Sequence, residues 1–188
     1  MTETANPDAY LDINFLHELT KRFSSAKLTD VLWRIARFVS DFVNCDSCFL
    51  YLLEGDELVL KASRNPHADI LDRLRIPVGH GITGWVAKNR MPVAIPRKAY
   101  QDPRFKVVSA LPEDQYEAFL SVPMVWRDRL VGVINVQHRQ AKFHSRRDIQ
   151  LISIIGFMVA AEVELVRMES EIQKVSAARK PITEARTL

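Results

Sequence analysis

The 188-residue sequence predicts an α+β domain, with helices towards both ends and strand hairpins between them. Three observations predict it. Leu28, Val31, Leu32, Ile35, Val39, Phe42 and Val43 recur at a helical period and make an amphipathic helix of about four turns. The period changes at Cys45, and two pairs of apolar runs follow, each joined by a tight turn. From Ile149 to Val175 no proline breaks a long apolar helix, and only Gly156 weakens it.

In chain order, residues 1–9 are polar and are expected to be disordered. Leu11, Phe15, Leu19 and Phe23 recur at spacing four and predict an N-terminal helix over 10–24, ended by Ser24-Ser25. The segment 48–65, CFLYLLEGDELVLKASRN, reads as strand, turn, strand, with Gly55-Asp56 as the turn. Ile70–Leu74 reads as a short helix or loop. PVGHGITGWVAKNRMPVAIP, at 77–96, reads as a Gly-rich turn, a short helix, and a strand bracketed by Pro92 and Pro96. Residues 97–114 are loop-like. Strands are expected at 118–126 and 130–138, joined through Arg127-Asp128-Arg129.

Ser145 then offers an N-cap, with Asp148 three residues on in the manner of a capping box. The helix it opens carries two apolar faces. Ile152, Ile155, Val159, Val163 and Val166 form one, which stops at 166. Leu151, Ile154, Met158, Ala161, Leu165, Met168, Ile172 and Val175 form the other, in alternating steps of three and four. Two faces imply two partners. The first would pack on the domain's own sheet. The heptad series would pair with a second copy as a coiled coil, with Leu151, Ile154, Met158, Leu165, Met168 and Ile172 at the interface. A single long core helix with a frayed end is the alternative.

Composition removes several classes. The net charge of +3 is spread among interleaved signs, so direct nucleic-acid binding is not expected. The basic pairs Arg127/Arg129 and Arg146/Arg147 read as solvated faces. There is no run of eighteen apolar residues and no basic-then-apolar leader, so no membrane partner is expected. Two cysteines fit a reducing compartment, and the expected location is cytoplasmic.

The most chemical motif is Gly79-His80-Gly81-Ile82-Thr83-Gly84, a literal G-x-G-x-x-G. A dinucleotide site needs a core strand before it and a full helix after it, and Pro92 ends the helix within about two turns. A kinase reading fails because Pro96 occupies the lysine position and the later kinase motifs are missing. The glycines serve the backbone where a strand turns into a short helix, with Trp85 and Val86 facing the sheet. Cys45 and Cys48 form a C-x-x-C, but they follow a helix and open a strand, so no helix N-terminus activates a thiolate. Zinc would need two further ligands, and the five histidines show no close paired spacing. A buried structural role is the reading for both cysteines.

Together, Leu28–Val43, VGHGITGWVAKNRMPVAIP (78–96), DPRF (102–105), LSVPM (120–124), LVGVINV (130–136) and FHSRRDIQLI (143–152) resemble the GAF family of small-ligand sensor domains over about 25–168. The resemblance implies a twisted antiparallel sheet with terminal helices on one face. Loops and a short helix would close a ligand pocket on the other. Residues 169–188 would be a coiled-coil extension and tail. The resemblance also implies a dimer bundle of terminal helices passing signals to an output domain or partner. Family members that bind cyclic nucleotides carry N-K…F-x-x-x-D-E. Here His138-Arg139, Phe143 and Arg147-Asp148 stand at those positions, so only Phe is kept. The tail ARKPITEARTL loosely resembles the start of the RNA-binding ANTAR domain, with Pro181 disrupting the match.

A pocket needs a few polar groups on otherwise apolar walls. Asn135 and Gln137 alternate with Ile134 and Val136 and so share one face. Ser121 and Tyr51 lie on other strands, Asp102 and Arg104 on the expected lid loop, and Trp85 and Phe105 beside it. These eight are the ligand-pocket candidates. The expected function is a regulatory sensor that binds an unknown small molecule, works as a homodimer, and is not an enzyme. No catalytic residue, metal or cofactor is assigned. A dimerisation module with a vestigial pocket is the alternative, and a redox or metal site at Cys45/Cys48 a further one.

Overall fold

The structure, a computed structural model, describes residues 28–65, 69–107 and 111–178. The expected N-terminal helix over 10–24 and the tail beyond 178 lie outside these residues. The described chain runs α1 (Leu28–Val43), β1 (Ser47–Glu54), β2 (Glu57–Ser63), β3 (Arg75–Pro77), α2 (Gly81–Asn89), β4 (Val93–Ile95), β5 (Ala118–Trp126), β6 (Arg129–His138) and α3 (Arg146–Ala178). Short 3-10 turns at Ala99–Gln101 and Pro112–Gln115 punctuate the loop between β4 and β5. The strands form a single six-stranded sheet in the order β3-β2-β1-β6-β5-β4, with every neighbouring pair antiparallel. This is the α+β class expected.

The expected elements between 28 and 175 are present, with two differences. β3 was not anticipated: Arg75, Ile76 and Pro77 are too few to show alternation, yet they pair with Val59, Leu58 and Glu57. The β5–β6 connection is tighter than three residues. Arg127 and Asp128 alone turn the chain, both at positive φ, and Arg129 already pairs with Trp126.

Alternation along the strands separates two cores. On one face, Cys48, Leu50, Leu52, Leu120, Val122, Ile134 and Val136 pack against Leu32, Ile35 and Val39 of α1 and Ile152, Ile155, Val159 and Val163 of α3. On the other, Phe49, Tyr51, Leu58, Leu60, Phe119 and Val133 meet Ile82, Val86 and Ala87 of α2. Gly156 lets α3 come close to the sheet, since a Cβ there would stand 3.2 Å from the Pro123 carbonyl oxygen.

The expected capping box forms. The Asp148 backbone N–H donates to Ser145 Oγ, and the Ser145 N–H donates to Asp148 Oδ2. One segment of α3 is long and apolar enough, by composition, to cross a membrane, with mean hydropathy 1.9. The cause is visible in the fold: the helix carries two apolar faces, and one is packed on the sheet.

Candidate functional site

The site grows from one stretch of β6. In the sheet register Asn135 stands between Phe49 of β1 and Ser121 of β5, and Gln137 stands between Ser47 and Phe119. The Ser121 hydroxyl donates to Asn135 Oδ1 (2.7 Å), and Asn135 Nδ2 donates to Thr83 Oγ1 on α2 (2.8 Å). All three residues are buried, so this chain ties β5, β6 and α2 together beneath the surface. Gln137 differs. Its Nε2 makes one long bond, 3.4 Å, to the Glu113 carbonyl, and its Oε1 is buried without a partner. Ser47 Oγ, opposite Gln137 in the register, is likewise buried without a partner.

Above this row lies a cavity of about 50 Å³. Its walls come from β1, β3, the first turn of α2, the loop at Phe105 and Lys106, and the turn holding Leu111, Glu113 and Asp114. Such a volume admits a few waters, whereas pockets for whole metabolites run to about 300–1,000 Å³. Of the expected pocket residues, Tyr51, Phe105, Asn135 and Gln137 line it. Ser121 stands behind Asn135 and acts through it.

Asp102, Arg104 and Trp85 do not line the cavity; they hold its wall. Arg104 donates through Nε and Nη2 to the two Asp102 carboxylate oxygens, each at 2.8 Å. Its guanidinium lies 4.9 Å from the centre of the Trp85 ring. The pair holds the Asp102 carboxyl below its ordinary range, the hydrogen bonds from Arg104 being the main cause. This clasp fixes the segment that carries Phe105 and Lys106 against α2.

The glycine motif is a backbone device. Gly79 and Gly81 hold positive φ, and a Cβ on Gly84 would meet the Pro77 carbonyl oxygen at 2.5 Å. Thr83, hidden inside this motif, escaped selection because nothing local marks it as the partner of a strand residue 52 positions away. Asp114 and Lys106 were missed because they sit in the long connection, where spacing carries no signal.

Burial pushes the Asp114 carboxyl up, and Glu113 adds to the rise, while the Leu111 N–H opposes it. Burial also raises the Tyr51 phenol, with Asp114 and then Glu113 reinforcing the effect.

Other expected features lie on the opposite face of the sheet. Cys45 and Cys48 are free and buried in the core beneath α1. Burial is the leading cause that pushes both thiols up, Cys48 the more strongly. Among the described residues no cluster of three potential metal-ligating side chains occurs. The histidines lack close spacing in the sequence, yet the fold joins two of them: His138 Nε2 and His144 Nε2 stand 3.1 Å apart, both rings buried. The bend at 139–145 brings them together, which linear spacing does not reveal.

On α3 the heptad stripe divides. Ile154, Leu165, Met168, Ile172 and Val175 are exposed, as is Phe157, and Met158 is half-buried against the core. Leu151 does not belong with them. At 7 % exposure it is covered within the domain.

Known proteins share this architecture. The GAF domain of a phosphoenolpyruvate-protein phosphotransferase from Coxiella burnetii superposes with a TM-score of 0.78 at 21% identity, covering 85% of this chain and 96% of that one. A free methionine-R-sulfoxide reductase from Neisseria meningitidis, in complex with its substrate, superposes with a TM-score of 0.71 at 19% identity, covering 90% and 98%. At these identities the likeness is one of fold. A dual 3',5'-cyclic-AMP and -GMP phosphodiesterase 11A from Takifugu rubripes is 31% identical over 132 residues, which is 63% of this chain and 14% of that protein's length. The family model of the GAF domain matches residues 27–163, and the chain accordingly belongs to the GAF domain family of regulatory small-molecule sensor domains.

Proposed function

We propose that this chain is a regulatory sensor domain that receives a small molecule in the cavity under α2 and transmits through a dimer formed by α3. One observation carries the reading. β6 bears Asn135 and Gln137 of the cavity wall on one face, packs the helix-side core with the other, and runs through 139–145 directly into α3. A ligand that moves Asn135 or Gln137 therefore acts on the strand that positions the start of the helix. Beyond Val163 that helix presents Leu165, Met168, Ile172 and Val175 to solvent at heptad spacing, a seam suited to a second copy.

The reading excludes catalysis on the bound molecule by thiol chemistry. Both cysteines lie on the far face of the sheet, with raised rather than lowered pKa values. It also gives no role to a redox or metal site at Cys45/Cys48.

A specific observation favours the second reading, a dimerisation module with a vestigial pocket: the cavity is only about 50 Å³. Under the sensor reading the clasped wall at Asp102–Lys106 must yield on binding.

Analytical ultracentrifugation of the full chain, with and without a metabolite panel, tests both parts. The sensor reading expects a dimer that Leu165→Glu or Ile172→Glu dissociates, and at least one compound that shifts cavity resonances in an NMR spectrum. A dimer with a cavity inert to every compound would leave the module reading standing. A monomer at tens of micromolar would remove the dimer from both.

A further inference from the structure

The cavity's polar groups are unequal in what they have left to offer, and the difference specifies a ligand chemistry. Asn135 is engaged at both ends. Its oxygen accepts from Ser121 and its amide donates to Thr83. Gln137, 5 % exposed and on the cavity wall, has an acceptor oxygen with no partner. Asp114, also on the wall, accepts one backbone N–H from Leu111 at 3.1 Å, and among the described residues no cationic side chain pairs with it. The Tyr51 ring forms a further part of the same wall. The wall thus holds a buried neutral acceptor without a partner and a carboxylate without a cation, beside an aromatic surface. A buried acceptor left unsatisfied costs about 1–3 kcal/mol, and a carboxylate drawn out of water costs more unless a cation meets it. Burial is the first cause of the raised Asp114 pKa, and the Glu113 charge adds to it. Lys106 does not supply the cation, since its side chain is exposed at the rim and makes no ion pair with Asp114.

We propose that the cavity receives the head of a small organic cation, a protonated amine, amidine or guanidine, whose N–H groups donate to Gln137 Oε1 and the Asp114 carboxylate against the Tyr51 ring. The proposal rests on the reading of this cavity as a binding site and adds the chemical class of its occupant. An anionic ligand such as a cyclic nucleotide would bring phosphate towards Asp114, where like charges repel. The volume suits a head group of a few heavy atoms, with any remaining substituent passing the Phe105–Lys106 rim.

The test uses full-length protein with its side-chain amides labelled, titrated at constant ionic strength. Methylguanidinium and n-propylammonium are the probes. Neutral n-propanol, anionic butyrate and cyclic AMP are the comparisons. The expected result is saturable movement of the Gln137 side-chain amide signal with the cations alone. Asp114→Asn keeps an oxygen for the Leu111 N–H and should weaken cation binding about tenfold, or ~1.4 kcal/mol. Gln137→Leu should weaken binding with little change in stability, because it removes an unsatisfied buried acceptor together with only one long bond, to the Glu113 carbonyl.

Equal binding of cations and n-propanol, or tighter binding of butyrate or cyclic AMP at the same signals, would overturn the cation proposal and leave the sensor reading intact. Cation binding unaffected by both substitutions would overturn it as well. Silence of the cavity signals towards every compound would remove both.

Discussion

The two faces of the sheet are built from the same strands and differ in kind. The face under α1 and α3 is apolar apart from Ser40 and the His138–His144 pair, and even its cysteines behave as small hydrophobes. The face under α2 contains a hydrogen-bonded chain through Ser121, Asn135 and Thr83, an unpartnered Gln137 oxygen, and a cavity. One face is packed to hold the fold. The other gives up packing and hydrogen-bond satisfaction where a ligand would replace them. A single strand, β6, carries both roles by alternation.

The largest expected effect falls on the packed face. Ile155→Ala removes a fully buried side chain between α3 and the sheet and should cost about 2–5 kcal/mol in urea unfolding, without altering the cavity signals. If the cavity signals moved as much as those of α3, the two faces would not be separable. On the other face, Asn135→Ala strands the Ser121 and Thr83 hydroxyls and should cost about 1–3 kcal/mol. Adding Ser121→Ala to it should recover part of that loss in a double-mutant cycle, whereas strict additivity would show that the chain has no cooperative character.

The third effect is a pH dependence. Burial, then His138, then Lys142 hold His144 down to about 4, with Asp148 opposing them. Between about 4 and the ordinary value of 6.5 the unfolded chain therefore binds more protons, and stability falls as pH drops through that window. The loss should be on the order of 1–2 kcal/mol, and His144→Phe should flatten the curve. An unchanged slope in that variant would mean that other groups set the acid limit. Smallest is Arg104→Ala. Breaking the clasp on Trp85 should cost about 0.5–1 kcal/mol but speed hydrogen exchange at Phe105 and Lys106. If exchange stayed unchanged, the wall would be held by something other than this clasp.

Legibility in the sequence followed the range of the interactions. Leu28–Val43 and Ser145–Asp148 declare themselves through contacts within a few residues, and the structure places both as expected. Asn135 and Gln137 could be chosen from alternation alone, because a strand fixes which face a side chain joins. Their difference could not. That one side chain finds partners at both ends and the other at one depends on Thr83, far along the chain, and on where Glu113 lands. Arg104 was read as a loop group free to meet a ligand, but its carboxylate partner two residues away and the Trp85 ring engage it. His138 and His144 were missed for the same reason as Thr83: a bend, not a period, joins them. Leu151 fits the heptad, but its burial is a property of the assembled domain.

Gly156 sets how closely α3 lies on the sheet. A Cβ there would crowd the Pro123 carbonyl oxygen, so the bare backbone lets the buried Val159, Ala160 and Val163 seat one to two turns further on. From Val163 to Ala178 the helix runs roughly 22 Å further at 1.5 Å per residue. A tilt of about five degrees at its last seated turn would carry the far end by roughly 2 Å. The residue that most weakens the helix on paper is therefore the one that lets its neighbours anchor it.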